Sequence, residues 1–203
     1  FAALDTTICY SIKACGNINI LKLLASEGSG FDIVSGGELF RAQQTNVDMK
    51  KIVYAGVGKT DEEIVAALKA GIGYFNIESE EELENLIGLA KQTGIKTKAA
   101  LRVNPDVDPK THRHITTGKK ETKFGVDIER AEMVFAQYGK NENVRLCAIH
   151  VHLGSGGKTI DPYCQAIQKV LPLVDSLRAK GFTIEMLDLG GGYGAAYVSD
   201  TVP

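Results

Sequence analysis

A lysine closes the first apolar run of this chain, Ile8-Cys9-Tyr10-Ser11-Ile12-Lys13-Ala14, and three glycines end the last, Leu187-Asp188-Leu189-Gly190-Gly191-Gly192. Between them, His150-Val151-His152-Leu153-Gly154-Ser155 stands at the end of another apolar run. These residue types suit one kind of ligand. An amine in a partly dry site condenses with an aldehyde. Bare backbone amides wrap phosphate oxygens. An imidazole can lie flat against an aromatic ring, and the Ser155 hydroxyl can join the amides on the same phosphate. A phosphorylated aldehyde cofactor answers all of these, which makes an enzyme the leading reading.

Each feature also has a plainer reading. A lysine at a strand tip is most often a solvated charge, and a triple glycine is also a tight turn. Alternation along 8–13 puts Lys13, Ser11 and Cys9 on one face and Ile8, Tyr10 and Ile12 on the other. With the bulkier apolar set turned to the helices, Lys13 points inward. His150 and His152 share a strand face and could bind a metal, as in metal-dependent barrel hydrolases. The other histidines, His112 and His114, lie in a loop, and no third ligand stands in suitable context, so no metal is expected. His150 reads best as a core histidine. Arg102 and Asp32, both at strand ends, suit a structural ion pair as well as a catalytic role. Glu38 reads as a helix cap.

The elements that must position these groups follow from periodicity. Short β-rich apolar runs at 8–13, 31–34, 51–55, 74–77, 97–103, 146–153 and 184–189 alternate with amphipathic helical stretches. Capping boxes are expected at Ser35–Glu38, Thr60–Glu63 and Ser79–Glu82. Asp161-Pro162 reads as a cap followed by a proline in the first helical position. Gly71, Gly94 and Gly181 sit where helices should stop. Repeated strand–helix units imply parallel strands with helical crossovers, in an open doubly wound sheet or a (β/α)8 barrel. Polar residues mark the carboxyl end of nearly every strand: Lys13, Asp32, Ser35, Glu78, Arg102, Asn104, His152, Ser155 and Asp188. An open sheet gathers its site at one switch point, whereas a barrel mouth draws on all its strands, so the barrel is favoured.

The expected fold class is therefore α/β, a partial (β/α)8 TIM barrel with about seven of eight strands, forming one domain over 1–203. A start that is not Met and an end just past the glycines suggest a domain truncated at both ends. The stretch 104–125 is long and weakly patterned, and holds His112, His114, Lys119, Lys120 and Lys123. It reads equally as a lid above an anionic ligand or as a solvated loop.

Bulk properties exclude several classes. The 203 residues carry a net charge of -2, which gives no footprint for nucleic acid or an anionic membrane. No apolar run is long enough to cross a membrane. Cys9, Cys15, Cys147 and Cys164 are scattered without a Cys-x-x-Cys pair, which fits a reducing cytoplasm.

In order along the chain, several segments resemble the diaminopimelate decarboxylases. They are Tyr10-Ser11-Ile12-Lys13-Ala14, Gly30-Phe31-Asp32-Ile33-Val34-Ser35-Gly36-Gly37-Glu38-Leu39, Ala55-Gly56-Val57-Gly58-Lys59-Thr60, Leu101-Arg102-Val103-Asn104-Pro105-Asp106, Thr111-His112-Arg113-His114-Ile115-Thr116-Thr117-Gly118, Lys123-Phe124-Gly125, His152-Leu153-Gly154-Ser155 and Leu187-Asp188-Leu189-Gly190-Gly191-Gly192. Several are shared with ornithine and arginine decarboxylases, while the Thr-His-x-x-Ile-Thr-Thr-Gly stretch is the most particular to the diaminopimelate enzymes.

The resemblance implies an alanine-racemase-like, fold-type III barrel followed by a β-domain. It implies pyridoxal 5'-phosphate as cofactor and meso-2,6-diaminopimelate as substrate, giving L-lysine and carbon dioxide. It also implies a homodimer of the full-length protein. By position, Lys13 matches the lysine that holds the cofactor and His152 the histidine on its ring. Ser155, Gly190, Gly191 and Gly192 match the phosphate cradle, and Arg102 and Asp32 match polar residues near the cofactor. Gly156 stands where these enzymes usually carry Gln, as in many ornithine decarboxylases. An ornithine or arginine decarboxylase is therefore one alternative, and a catalytically dead homologue that binds a partner is another. The family glutamate that pairs with the pyridine nitrogen lies in a segment these residues do not include, so this stretch alone is expected to be inactive.

Overall fold

The computed structural model describes residues 3–107, 124–155, 157 and 159–194. Most of the stretch read as a lid or solvated loop, 108–123, lies outside the described residues. The chain gathers into two compact units. The first holds Phe1–Ile77, Glu81–Ala99 and Asn141–Arg145; the second holds Glu78–Glu80, Ala100–Lys140 and Leu146–Pro203.

In the first unit four strands run in sequence order: β1 (Cys9–Ser11), β2 (Gly30–Ile33), β3 (Ile52–Tyr54) and β4 (Tyr74–Ile77). All pairings are parallel, with Ser11 beside Asp32, Asp32 beside Val53 and Val53 beside Tyr74. Alternate residues therefore share faces. Phe31, Ile33, Tyr54, Phe75 and Ile77 are completely buried, which leaves the other face to the row that starts at Ser11 and Asp32.

Helices α1 (Ile18–Ser26), α2 (Gly36–Gln43), α3 (Asp61–Ala70) and most of α4 (Glu80–Thr93) connect or follow these strands. The Thr60–Glu63 capping box at α3 is complete, and Gly71 ends that helix at φ 68°. At α2 the pattern differs from the expected box. Ser35 accepts from the Glu38 amide at 3.2 Å, but the Glu38 carboxylate accepts from Val34 at 2.7 Å, one residue before the cap. The Gly36 amide instead donates to Glu63 Oε1 at 2.7 Å, so one carboxylate serves two helix starts. Glu82, assigned by sequence to the Ser79 box, carries an ion pair with Lys59. The Lys59 ammonium is buried and donates to Gly56 O at 2.7 Å, Asn76 O at 2.9 Å and Glu82 Oε1 at 2.6 Å. All three of its donors are satisfied, which is what makes a buried lysine tolerable.

β7 (Val144–His150), which lies mostly in the second unit, stands between β5 (Thr97–Asn104) and β8 (Met186–Asp188). A two-residue strand, β6 (Val126–Asp127), pairs with the end of β5 and leads into α5 (Ile128–Tyr138). Two residues are too few for a period, so β6 was invisible to the sequence pattern. Helix α6 (Asp161–Ala179) starts one residue earlier than expected: Ile160 is the cap and Asp161 is already helical, with Pro162 in the first turn.

Each of the seven apolar runs carries a strand. Parallel strands in sequence order with helical crossovers are the build of a (β/α)8 barrel, and the fold is a partial one. Two strands stop short of the residues that prompted interest in them. β1 ends at Ser11, and Lys13 sits in a short 3-10 turn, Ile12–Ala14. β7 ends at His150, two residues before His152. Strand alternation therefore orients neither Lys13 nor His152. Ile8, expected against the helices, is 66% exposed.

Candidate active site

The first unit holds Ser11, Lys13 and Asp32. Ser11 and Asp32 are register partners on adjacent strands, so their side chains leave the same face, and Ser11 Oγ donates to Asp32 Oδ2. Lys13 follows two residues later. Ile12 beside it is buried and anchors the turn, while Lys13 itself is exposed. An anchored backbone with an exposed side chain leaves that side chain accessible to an aldehyde.

The second unit brings Arg102, His152, Ser155 and the three glycines together. Arg102 is only 5% exposed. Its Nη1 donates to both Glu78 oxygens at 2.9 Å, and Nη2 donates to the His152 carbonyl at 3.4 Å. The Phe124 ring lies 5.0 Å from the guanidinium carbon, and Asn104 Nδ2 donates to the Phe124 carbonyl. Arg102 is thus a buried ion pair that also holds the backbone at His152, which favours the structural side of its two readings. Glu78 stood among the strand-end polar residues, but its role depends on a partner distant in sequence.

The glycine loop is shaped by close backbone approach. A Cβ on Gly192 would come within 1.7 Å of Gly154 O, and one on Gly190 within 2.5 Å of Val151 O. Both residues have positive φ, 86° and 66°, so neither could carry a side chain. Two of the three amides are already engaged. Gly190 N donates to Asp188 Oδ1 at 2.8 Å, and Gly191 N donates to His152 Nδ1 at 3.2 Å. Accepting at Nδ1 puts the proton of the neutral imidazole on Nε2.

The Gly192 amide has no acceptor among the described residues. The Cβ position of Gly192 is 3.1 Å from the Ser155 Cα, so this amide and the exposed Ser155 hydroxyl belong to adjoining backbone. A side-chain-free loop with one uncommitted amide beside a hydroxyl fits a phosphate group. The loops are joined by Gly157 N to Gly192 O at 2.9 Å and Gly194 N to Gly157 O at 2.8 Å. Tyr163, which no sequence signal singled out, donates to Gly191 O at 3.3 Å. His150 is 4% exposed, in keeping with the core reading. Among the described residues no group of three or more His, Cys, Asp or Glu could hold a metal.

Comparison with known proteins extends this. Residues 1–203 match the family described as "Pyridoxal-dependent decarboxylase, pyridoxal binding domain". Diaminopimelate decarboxylase of Aquifex aeolicus is 48% identical over 95% of this chain and 46% of its own length. That of Pseudomonas aeruginosa is 43% identical over 100% of this chain and 49% of its own. The solved structure of the Helicobacter pylori enzyme complexed with L-lysine matches at TM-score 0.96 and 39% identity, covering 100% of this chain and 52% of that one. The chain spans about half the length of the curated relatives it matches.

Proposed function

This chain belongs to the pyridoxal-dependent decarboxylases through their pyridoxal-binding domain, and from that premise we propose that it is the cofactor-holding part of a diaminopimelate decarboxylase. The reaction is loss of one carboxylate from meso-2,6-diaminopimelate, giving L-lysine and carbon dioxide. Its main support is the whole-chain likeness to relatives of that name, one of them solved with L-lysine. Arginine decarboxylase neighbours at 24% identity share the fold alone, so the diaminopimelate reading is preferred to an arginine or ornithine one. The presence of Lys13, Ser155 and all three glycines weighs against a catalytically dead homologue.

Pyridoxal 5'-phosphate is the family's cofactor, and when bound it supplies a sink for the electron pair left by carbon dioxide. The remaining tasks fall to the protein. Lys13 offers its amine to the aldehyde. The Gly192 amide and Ser155 hydroxyl take phosphate oxygens, while Gly190 and Gly191 give the loop its shape. His152, held at Nδ1, presents its ring to the cofactor and keeps water from one side. Arg102 fixes the backbone of His152 through its contact with the carbonyl. Asp32, held by Ser11, supplies a negative charge on the same face as its partner.

We read 1–203 as one such domain of a cytoplasmic homodimer. No described helix is long and apolar enough to cross a membrane, and none of the four cysteines is in a disulfide.

The test uses the full-length protein. It should form lysine from meso-diaminopimelate with a higher kcat/KM than it shows for ornithine or arginine; the reverse order would reassign the substrate. Lys13→Ala should abolish the visible absorbance of the lysine-bound cofactor, and an unchanged spectrum would exclude Lys13 from that role.

A further inference from the structure

We propose that Tyr163 is a positioning residue for the phosphate loop, aiming the Gly192 amide and so setting how strongly the site prefers a phosphorylated cofactor to its dephosphorylated form. The inference rests on the pyridoxal-binding reading above.

The argument starts from one peptide plane. The Gly191 carbonyl and the Gly192 amide belong to the same trans peptide, so they point in opposite directions. Whatever holds the carbonyl on one side aims the N–H on the other. Tyr163 Oη holds it, at 3.3 Å. Both flanking residues are glycines, for which reorienting a peptide plane meets little steric resistance. On the Gly191 side packing leaves the plane free, since a Cβ there would have nothing within 4 Å, whereas Gly192 lies close against the Gly154 backbone. Behind the loop lies an apolar cavity of about 30 Å³, lined in part by Val151, Leu153, Leu189 and Tyr163. The hydrogen bond from Tyr163 is therefore the contact that restrains this plane at its carbonyl, on the side where packing leaves it free.

Tyr163 is itself well placed to hold still. It lies in the first turn of α6 and stacks on Tyr193 with ring centroids 4.9 Å apart and planes 20° from parallel. Tyr193 pairs in turn with Gly157 in a parallel bridge. A Cβ at residue 157 would come 2.8 Å from the Tyr163 hydroxyl, so a glycine there leaves the hydroxyl its place. Burial pushes the phenol pKa up, which keeps the hydroxyl a donor at neutral pH.

The test is cofactor binding to the full-length protein freed of cofactor, with pyridoxal 5'-phosphate and pyridoxal titrated separately against wild type, Tyr163→Phe and Gly157→Ala. Tyr163→Phe keeps the ring stack and removes only the hydroxyl; Gly157→Ala displaces the hydroxyl from the other side. Both variants should weaken pyridoxal 5'-phosphate about five- to tenfold, the scale of one hydrogen bond, and leave pyridoxal affinity unchanged. Equal weakening of both ligands would mean a general effect on the fold and would overturn the proposal, as would no change in either variant. Wild type that binds neither ligand would overturn the pyridoxal-binding reading itself, whereas wild type that binds both with unaltered variants defeats only the role of Tyr163.

Discussion

Arg102 carries a permanent charge into a place with almost no water, and Glu78 makes that tolerable. Their side chains are 6% and 3% exposed and meet at 2.9 Å. A buried pair gains little over an apolar substitute of the same shape, but breaking it strands a charge. Glu78→Gln in the full-length protein should lower the unfolding free energy by about 3–5 kcal/mol in urea titrations. The double variant Arg102→Met/Glu78→Leu should lose clearly less, and a double variant at least as unstable as the single would show that the cost lies elsewhere. At this scale the sequence shows residue types and strand ends but not partners. Arg102 was legible as a strand-end charge, yet its pairing with a carboxylate 24 residues away was not. Lys13 was legible as an amine beside a strand tip. Its orientation could not be read from alternation, which holds only while the strand continues, and the strand gives way to a 3-10 turn at Ile12.

Among the elements, Glu63 joins two helices that the sequence treats separately. Its Oε1 accepts from Gly36 at the start of α2 and its Oε2 from Thr60 at the start of α3. These two backbone hydrogen bonds hold its carboxyl below the usual carboxylate range. A group whose folded pKa is depressed stabilises the fold above its unfolded pKa, and that contribution disappears as pH falls through the folded value. Glu63→Gln should therefore cost stability at pH 7, by about 1 kcal/mol for the lost caps. The gap to wild type should narrow as pH drops below the ordinary glutamate range, followed by thermal melts across pH. A pH-independent gap would remove the charge from the explanation. The Thr60 box was readable because its signal is local, four residues long. The bond to Gly36 was not, because it depends on α3 packing beside α2.

For the molecule as a whole, ladder position sets where the fold opens first. Among the described residues, β2 and β3 in the first unit and β7 in the second are paired on both sides, whereas β1 pairs only with β2 and β8 only with β7. Amide hydrogen exchange should find β2, β3 and β7 better protected than β1 and β8. Those two are also the strands that lead into Lys13 and the glycine loop, so two of the elements carrying the proposed chemistry are held on one side alone among the described residues.

The curated relatives are about twice as long as the matched stretch, and single-sided strands are stabilised by whatever pairs with or covers them. Residues 1–203 expressed alone should therefore show no lysine formation from meso-diaminopimelate, together with fast exchange in β1 and β8. The full-length protein should show turnover, with slower exchange in those same two strands. Turnover by the 203 residues alone would mean that β1 and β8 are already held firmly enough to do the chemistry without the rest.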